Sequence, residues 1–191
     1  MKAVPRGPPF HVSESRYLAR PMHFDAKYSE HATLRDGSAV TIRLVRANDK
    51  ALLRAGFHKL SDESRYRRFH TPKNALSDAE LRYLTEIDTV THFAIGAVRA
   101  REKCQDHGET TEEGLGLARF IVLPENGAAE AAITVLDDVH GLGLGRLLFH
   151  RLVAAARERG LAQLHCEVLA SNKPMQELAR QFDDVTLHRA G

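Results

Sequence analysis

Ala129-Glu130-Ala131-Ala132-Ile133-Thr134-Val135-Leu136-Asp137-Asp138-Val139-His140-Gly141-Leu142-Gly143-Leu144-Gly145-Arg146 is the stretch that decides the fold. Ala129 to Leu136 reads as a strand. The residues after the glycines change period: Leu144, Leu147, Leu148, Leu152, Ala155 and Ala156 recur at i, i+3 and i+4, the apolar stripe of a long helix. Gly160 is placed to stop that helix. A strand that turns through glycines into a helix leaves the first helical N–H groups without partners. Those donors, with the positive end of the helix dipole, suit a phosphate. Glycines at 141, 143 and 145 also remove the Cβ atoms that would hold a pyrophosphate away from the backbone. A sharp turn alone would account for one Gly-x-Gly; three glycines at one junction point further, to an anion.

Working back from this stretch, Gly116 to Leu123 is another strand, joined to it through Pro124-Glu125-Asn126-Gly127. Asn-Gly favours the positive φ angles of a hairpin, so the two strands are expected to be antiparallel neighbours. Gly114-Leu115-Gly116 leads into a strand rather than a helix and reads as a strand start. His92 to Val98 is a further strand, and Arg99 to Glu113 a charged loop. Upstream, Asp36-Gly37 marks a turn between Ala32-Thr33-Leu34 and Val40 to Leu44. Three helices follow. Asn48-Asp49 caps the first, with Leu52, Leu53, Phe57 and Leu60 on its apolar face. Ser61-Asp62-Glu63 opens the second, with Tyr66 and Phe69 facing inward, and Thr71-Pro72 breaks it. Ser77 and Glu80 have capping-box spacing at the start of the third, which runs through Leu81, Leu84 and Ile87. Downstream of Gly160, Leu164 to Ala170 is a strand, Asn172 to Gln181 a helix, and Asp184 to His188 a short last strand. This order is mixed α/β around one central sheet.

The chain has 191 residues, 43% hydrophobic and 27% charged, which fits one soluble domain. Residues 1–33 are polar and proline-interrupted and are expected to form an arm, partly without order; residues 34–191 form the domain. Lys and Arg total 27 against 25 Asp and Glu, a net charge of +2, too small to argue for nucleic acid. Apolar runs are far short of a membrane span, and the first residues lack the apolar core of a secretory signal. Cys104 and Cys166 make no disulfide framework, and His11, His23 and His31 match no metal spacing, so no metal is expected. A cytoplasmic location is the simplest expectation.

Other phosphate-binding loops fit less well. A dinucleotide fold wants Gly-x-Gly-x-x-Gly early in a βαβ unit, and a nucleotide triphosphate loop wants Gly-x-x-x-x-Gly-Lys-Ser/Thr. Here the spacing is Gly-x-Gly-x-Gly after an antiparallel strand. His140-x-x-Gly143-x-Gly145 resembles the Gln/Arg-x-x-Gly-x-Gly/Ala signature of the GNAT N-acetyltransferase superfamily. The likeness covers roughly residues 38 to 182. A narrower likeness, carried by Asp36-Gly37, Ile42-Arg43, Leu60-Ser61-x-Glu63-Ser64-Arg65-Tyr66-x-Arg68-Phe69 and Glu167-Val168-Leu169-x-x-Asn172-x-x-Met175, is to the acyltransferase domain of Pat-type bacterial protein-lysine acetyltransferases.

The resemblance implies an α+β fold with a mainly antiparallel central sheet, CoA being held where two strands splay apart. It implies acetyl-CoA as co-substrate and an amine as acceptor, either a protein lysine or a small molecule. Backbone groups at Val135, Leu136 and Asp137 are expected to line the pantetheine arm, an N–H around Leu136 polarising the thioester carbonyl. His140, Gly141, Leu142, Gly143, Leu144, Gly145 and Arg146 would hold the pyrophosphate. Asn172 would bind the pantetheine arm or an ordered water, unless it only caps its helix.

Acyl transfer from a thioester needs a neutral amine. A free lysine has a pKa of about 10.4, so its neutral form costs about 4–5 kcal/mol near pH 7. A carboxylate can take the proton directly or through one water. Glu130 is the first candidate: its neighbours Ala129, Ala131 and Ala132 are small, and a Glu in an alanine-rich strand needs a reason unless it lies on an exposed edge. In Pat-like relatives the acid here resembles the general base. Glu167 is the second candidate; its structural reading is an anchor for Arg43 or Arg119. Cys166 beside His165 is no catalytic pair, because adjacent strand residues face opposite ways.

Two departures stand out. Many relatives use a Tyr in the last helix to protonate the thiolate; Ala179 stands there by spacing, so the thiolate would leave unaided, or the chain would be a non-catalytic acyl-CoA-binding module. A dinucleotide-binding oxidoreductase is the third reading. The family's usual two last strands are also reduced to the room for one after Phe182; either the chain is truncated, or a partner copy in a homodimer or the N-terminal arm fills that edge.

Overall fold

The computed structural model describes residues 23–101, 111–124 and 127–181. Strands β1 (Ser29–Thr33) and β2 (Ala39–Leu44) precede helices α1 (Lys50–Lys59), α2 (Asp62–Phe69) and α3 (Asp78–Thr85). Strands β3 (His92–Arg101), β4 (Thr111–Leu123) and β5 (Ala128–Val135) come next, then α4 (Leu144–Glu158), β6 (Gln163–His165) and α5 (Lys173–Ala179). The described strands form one sheet in sequence order, β1 to β6. Every neighbouring pair is antiparallel except β5 with β6, which is parallel because α4 carries the chain back across the sheet. This is the expected mixed, mainly antiparallel sheet flanked by helices. The expected strand at Asp184–His188, Cys104 and most of the N-terminal arm lie outside the described residues, and no described helix is long and apolar enough to cross a membrane.

α4 buries one stripe: Leu144, Leu148, Leu152 and Ala155, spaced by a helical turn, are fully inaccessible. They lie on the sheet face that carries Phe93 and Phe120, whose rings stack 5.1 Å apart. Gly116 lets α4 approach, since a Cβ there would stand 3.0 Å from Leu148 Cδ1 and 3.1 Å from the Thr134 carbonyl. Helices α1 to α3 cover the opposite face. The two faces exchange within β4: Ala97 pairs with Gly116 and Val98 with Gly114, which makes Leu115 the extra residue of a β-bulge. Gly114 then faces Leu52 of α1 while Gly116 faces α4. The Gly114-Leu115-Gly116 run is therefore interior to a strand, not its start.

Other expectations are corrected in the same way. Arg99 to Glu113 is not all loop, because β3 and β4 pair through Arg99↔Glu113 to Arg101↔Thr111. Order begins before Leu34: β1 starts at Ser29, and Phe24 and Tyr28 are buried. Glu30 fixes this segment to α4 through a bidentate pair with Arg151 (2.5 and 2.6 Å), and the Arg151 guanidinium holds the Glu30 carboxyl down at about 2. Asp49 does not cap α1 with its side chain; it takes the Arg43 guanidinium at 2.8 and 2.9 Å, both groups being buried. Tyr66 points outward and is 48% exposed. The strand expected over Leu164 to Ala170 is only Gln163–His165.

Candidate active site

β5 is where the sheet divides. Its ladder with β4 runs from Ala128↔Leu123 to Val135↔Gly116, whereas its parallel ladder with β6 stops at Glu130↔His165. Beyond Glu130 the strand has a partner on one side only among the described strands, and a gap opens on the other. Backbone groups of an antiparallel strand alternate in direction. The Leu136 N–H donates to the Leu115 carbonyl at 2.9 Å. Even-numbered positions of β5 therefore bond to β4, and the N–H groups of Ile133 and Val135 face the gap. The N–H expected at Leu136 is thus committed inside the sheet, and its neighbours of odd number are the available donors.

The glycine loop lies at the far end of β5. A 3-10 turn, Asp137–Val139, leads to Gly141 (φ +76°) and Gly143 (φ +91°), both in the left-handed region. Gly143 is the N-cap of α4, and the first bond of the helix runs from the Leu147 N–H to the Gly143 carbonyl at 3.0 Å. The N–H groups of Leu144, Gly145 and Arg146 precede that bond and point out of the helix end. The loop carbonyls are turned away and held: Arg35 donates its backbone N–H to Leu142 O and its Nη1 to Gly141 O, each at 3.1 Å. The loop presents donors on one side and keeps its acceptors on the other, as a pyrophosphate requires. A Cβ on Gly145 would meet only ordinary contacts, Val135 Cγ2 at 3.8 Å and Leu178 Cδ2 at 3.9 Å.

The other expected donor-side residues take definite places. His140 Nε2 lies 3.0 Å from the Val135 carbonyl and so bridges the strand end to the loop. Arg146 is exposed at the helix start, its Nε donating to His150 Nε2 at 3.4 Å. The Asp137 carboxylate accepts from the Ser61 N–H and hydroxyl, both 2.9 Å, and from the Ser64 hydroxyl at 2.6 Å, which latches the loop to the start of α2. Burial opposes ionisation of Asp137, but those donors outweigh it and hold its carboxyl below the usual range. Asn172 caps α5, its side chain accepting from the Met175 N–H at 3.3 Å.

The two carboxylates part company. Glu130 is exposed, yet not at an edge: it lies between Ile121 of β4 and His165 of β6, the last residue before the gap. Ala129 and Ala131 are buried toward α4, so Glu130 projects from the other face. Glu167 is past the end of β6, its side chain 87% exposed and 3.6 Å from His70 Nδ1. It anchors neither arginine proposed for it, since Arg43 is held by Asp49 and Glu112 and no carboxylate pairs with Arg119 among the described residues. Burial, then the Glu130 charge, pushes the Cys166 thiol up to about 11. An apolar cavity of about 100 Å³ under α1 to α3 adjoins this region, with Arg68, Phe69, Thr134 and Leu136 in its wall.

The Acetyltransferase (GNAT) family matches residues 60–183. The chain belongs to this family. The chain is similar to Acetyltransferase PA5475 of Pseudomonas aeruginosa, 31% identical over 169 residues, 87% of either chain. Acetyltransferase Pat of Mycolicibacterium smegmatis is 31% identical over 150 residues, 76% of this chain; the chain spans 41% of that longer protein. The crystal structure of the GNAT domain of S. lividans PAT superposes with a TM-score of 0.69 at 27% identity, over 85% of this chain and 89% of that one. The protein is thus a Pat-like GNAT acetyltransferase, and the oxidoreductase reading falls away.

Arg35 was not foreseen as part of the GNAT loop. It precedes the Asp36-Gly37 turn, 106 residues before Gly141, and no local signal links the two. His92 and Tyr83, near Arg119, likewise carry no local signal of a site.

Proposed function

We propose that this GNAT acetyltransferase moves an acetyl group from acetyl-CoA to a primary amine by direct attack, with Glu130 as general base. A protein lysine is the favoured acceptor class, by likeness to Pat. The observation that carries the reading is the end of the β5–β6 ladder at Glu130: the carboxylate stands at one end of the gap and the anion-binding loop at the other. The open part of β5, Ala131 to Val135, spans roughly 17 Å, which suits an extended thioester arm lying along it. Loop donors at Leu144, Gly145 and Arg146 would hold the pyrophosphate, with His140 and Arg146 beside it. The Ile133 and Val135 N–H groups would pair with the arm and polarise the carbonyl. Glu130, directly or through one water, would take the ammonium proton as the amine attacks. Asn172 supports the site by capping α5 next to the loop, and Glu167 serves at the rim of the gap.

The test combines binding and turnover. Acetyl-CoA and CoA should raise the melting temperature and NADH should not, and lysine peptides should release free thiol from acetyl-CoA. Thermal stabilisation by CoA with no thiol release for any amine would remove the acceptor chemistry from the reading. A Glu130→Gln variant with full activity would remove Glu130 from it.

A further inference from the structure

The sheet face opposite α4 carries a cluster of charged and aromatic side chains around Glu130. Ile121 pairs with Glu130 on one side and His92 on the other, and Arg119, two residues away on the same face, is diagonal to both. The direct neighbours of Arg119 are Ala94 and Ala132, which leave space above the strand. From above, the Tyr83 ring of α3 lies 5.2 Å from the Arg119 guanidinium and 5.1 Å from the His92 ring. Arg68 of α2 feels both Arg119, which repels it, and Glu130, which attracts it; burial and that repulsion bring its guanidinium down to about 10.

Two polar atoms of this cluster, Arg119 Nη1 and His92 Nε2, are buried without a hydrogen-bond partner. An unmet buried donor costs about 1–3 kcal/mol, more if charged, and is retained where something else satisfies it. Among the described residues no carboxylate lies within ion-pair distance of Arg68 or Arg119. Two guanidiniums against one Glu130 leave one positive charge to balance. A singly charged carboxylate does this, and a guanidinium binds it through two parallel hydrogen bonds. A dianionic phosphate would add surplus negative charge next to Glu130.

We propose that Arg68 and Arg119 form a carboxylate subsite for the acceptor, so that the amine presented to Glu130 belongs to a molecule bearing a carboxylate a few bonds away. The inference rests on the acceptor side lying at Glu130, as in the function proposed above. The carboxylate has two sources, the α-carboxylate of an amino acid or an acidic side chain beside a lysine in a peptide.

Matched acceptor pairs test it on the full chain. Glycine and lysine are compared with their carboxamides, and Asp- or Glu-flanked lysine peptides with their Asn or Gln counterparts, by thiol release from acetyl-CoA. The acid of at least one pair is expected to exceed its amide tenfold or more in kcat/KM, and the pair that does so identifies the source. In Arg119→Gln that preference should vanish through a higher acceptor KM, and in Arg119→Lys it should return in part. Equal rates on acid and amide throughout, or a Gln variant that loses both alike while keeping its melting temperature and its response to CoA, would overturn the subsite. Should no amine turn over, calorimetry with CoA-saturated protein and the N-acetylated amino acids decides separately: binding that weakens tenfold in Arg119→Gln supports the subsite, and absent or unchanged binding sinks it.

Discussion

The loop at Gly141–Gly145 and the cluster at Glu130 occupy opposite ends of the gap beside β5, and they are built from different material. The loop is made of backbone. Two left-handed glycines set its shape, a helix end supplies its donors, and Arg35 occupies its carbonyls. The Glu130 cluster is made of side chains from β3, β4, β5, α2 and α3, several of them with charges or donors left uncommitted. A backbone site suits a ligand part that never varies, such as a pyrophosphate. A side-chain site can be retuned for a new acceptor without disturbing the fold.

Substitutions at the two ends should therefore fail differently. The largest effect is expected for Glu130→Gln: kcat falls by about 10²–10⁴-fold while CoA still raises the melting temperature as in the parent. A matching loss of CoA binding would erase the division between the ends. At the loop, Gly141→Ala and Gly143→Ala each force an L-residue into the left-handed region, at about 1–2 kcal/mol, and should weaken CoA roughly tenfold in titrations. Gly145→Ala, where a new Cβ meets only ordinary contacts, should stay within about 0.5 kcal/mol of the parent in stability. Arg35→Ala releases the Gly141 carbonyl from an exposed clamp while the backbone bond to Leu142 stays, and the acetyl-CoA KM should rise a few-fold with kcat little changed.

The smallest effect sits on the tie between the ends, where Asp137 of the loop meets Ser61 and Ser64 of α2, the helix that carries Arg68. The folded state holds this carboxyl below its ordinary value of about 3.9. The latch therefore contributes fully above that pH and is lost as the pH falls below it. Asp137→Asn should lower the melting temperature slightly at pH 7 and flatten its decline below pH 4. Thermal melts of both proteins from pH 3 to 7 check this, and parallel curves would show that the latch carries no pH dependence.

The same contrast governs what could be read from the chain. Features set by a residue's immediate neighbours were legible. The α4 stripe, the Gly160 stop (φ +73°) and the Ser77–Glu80 capping box all appear as expected. So does the antiparallel pairing of β4 with β5, with Gly127 just before β5 having φ +64°. Glycine spacing works because a φ requirement is local. Features set by a distant partner were not legible. Asp49 has the sequence position of a cap, but the buried Arg43 guanidinium outbids the helix end for its carboxylate. Tyr66 follows helical spacing, yet on this short helix the inward places go to Phe69 and to Arg65, which lies over the Phe57 ring. Among the described residues β6 pairs with β5 only as far as Glu130, and that early end, which opens the gap, leaves no trace in residues 166–170.

Cys166 acquires a meaning in this setting. It sits just after the last paired residue of β6, packed against the hydrophobic core and close enough to feel the Glu130 charge, one residue past the point where the gap proposed for a thioester begins. A thiolate there would attack that thioester and leave the enzyme acylated on itself. With its thiol pushed up to about 11 by burial, only about one molecule in 10⁴ carries the thiolate at pH 7. Burial against the core thus keeps this sulfur protonated beside the proposed thioester, so that in the reading offered above the acetyl group would go to the amine.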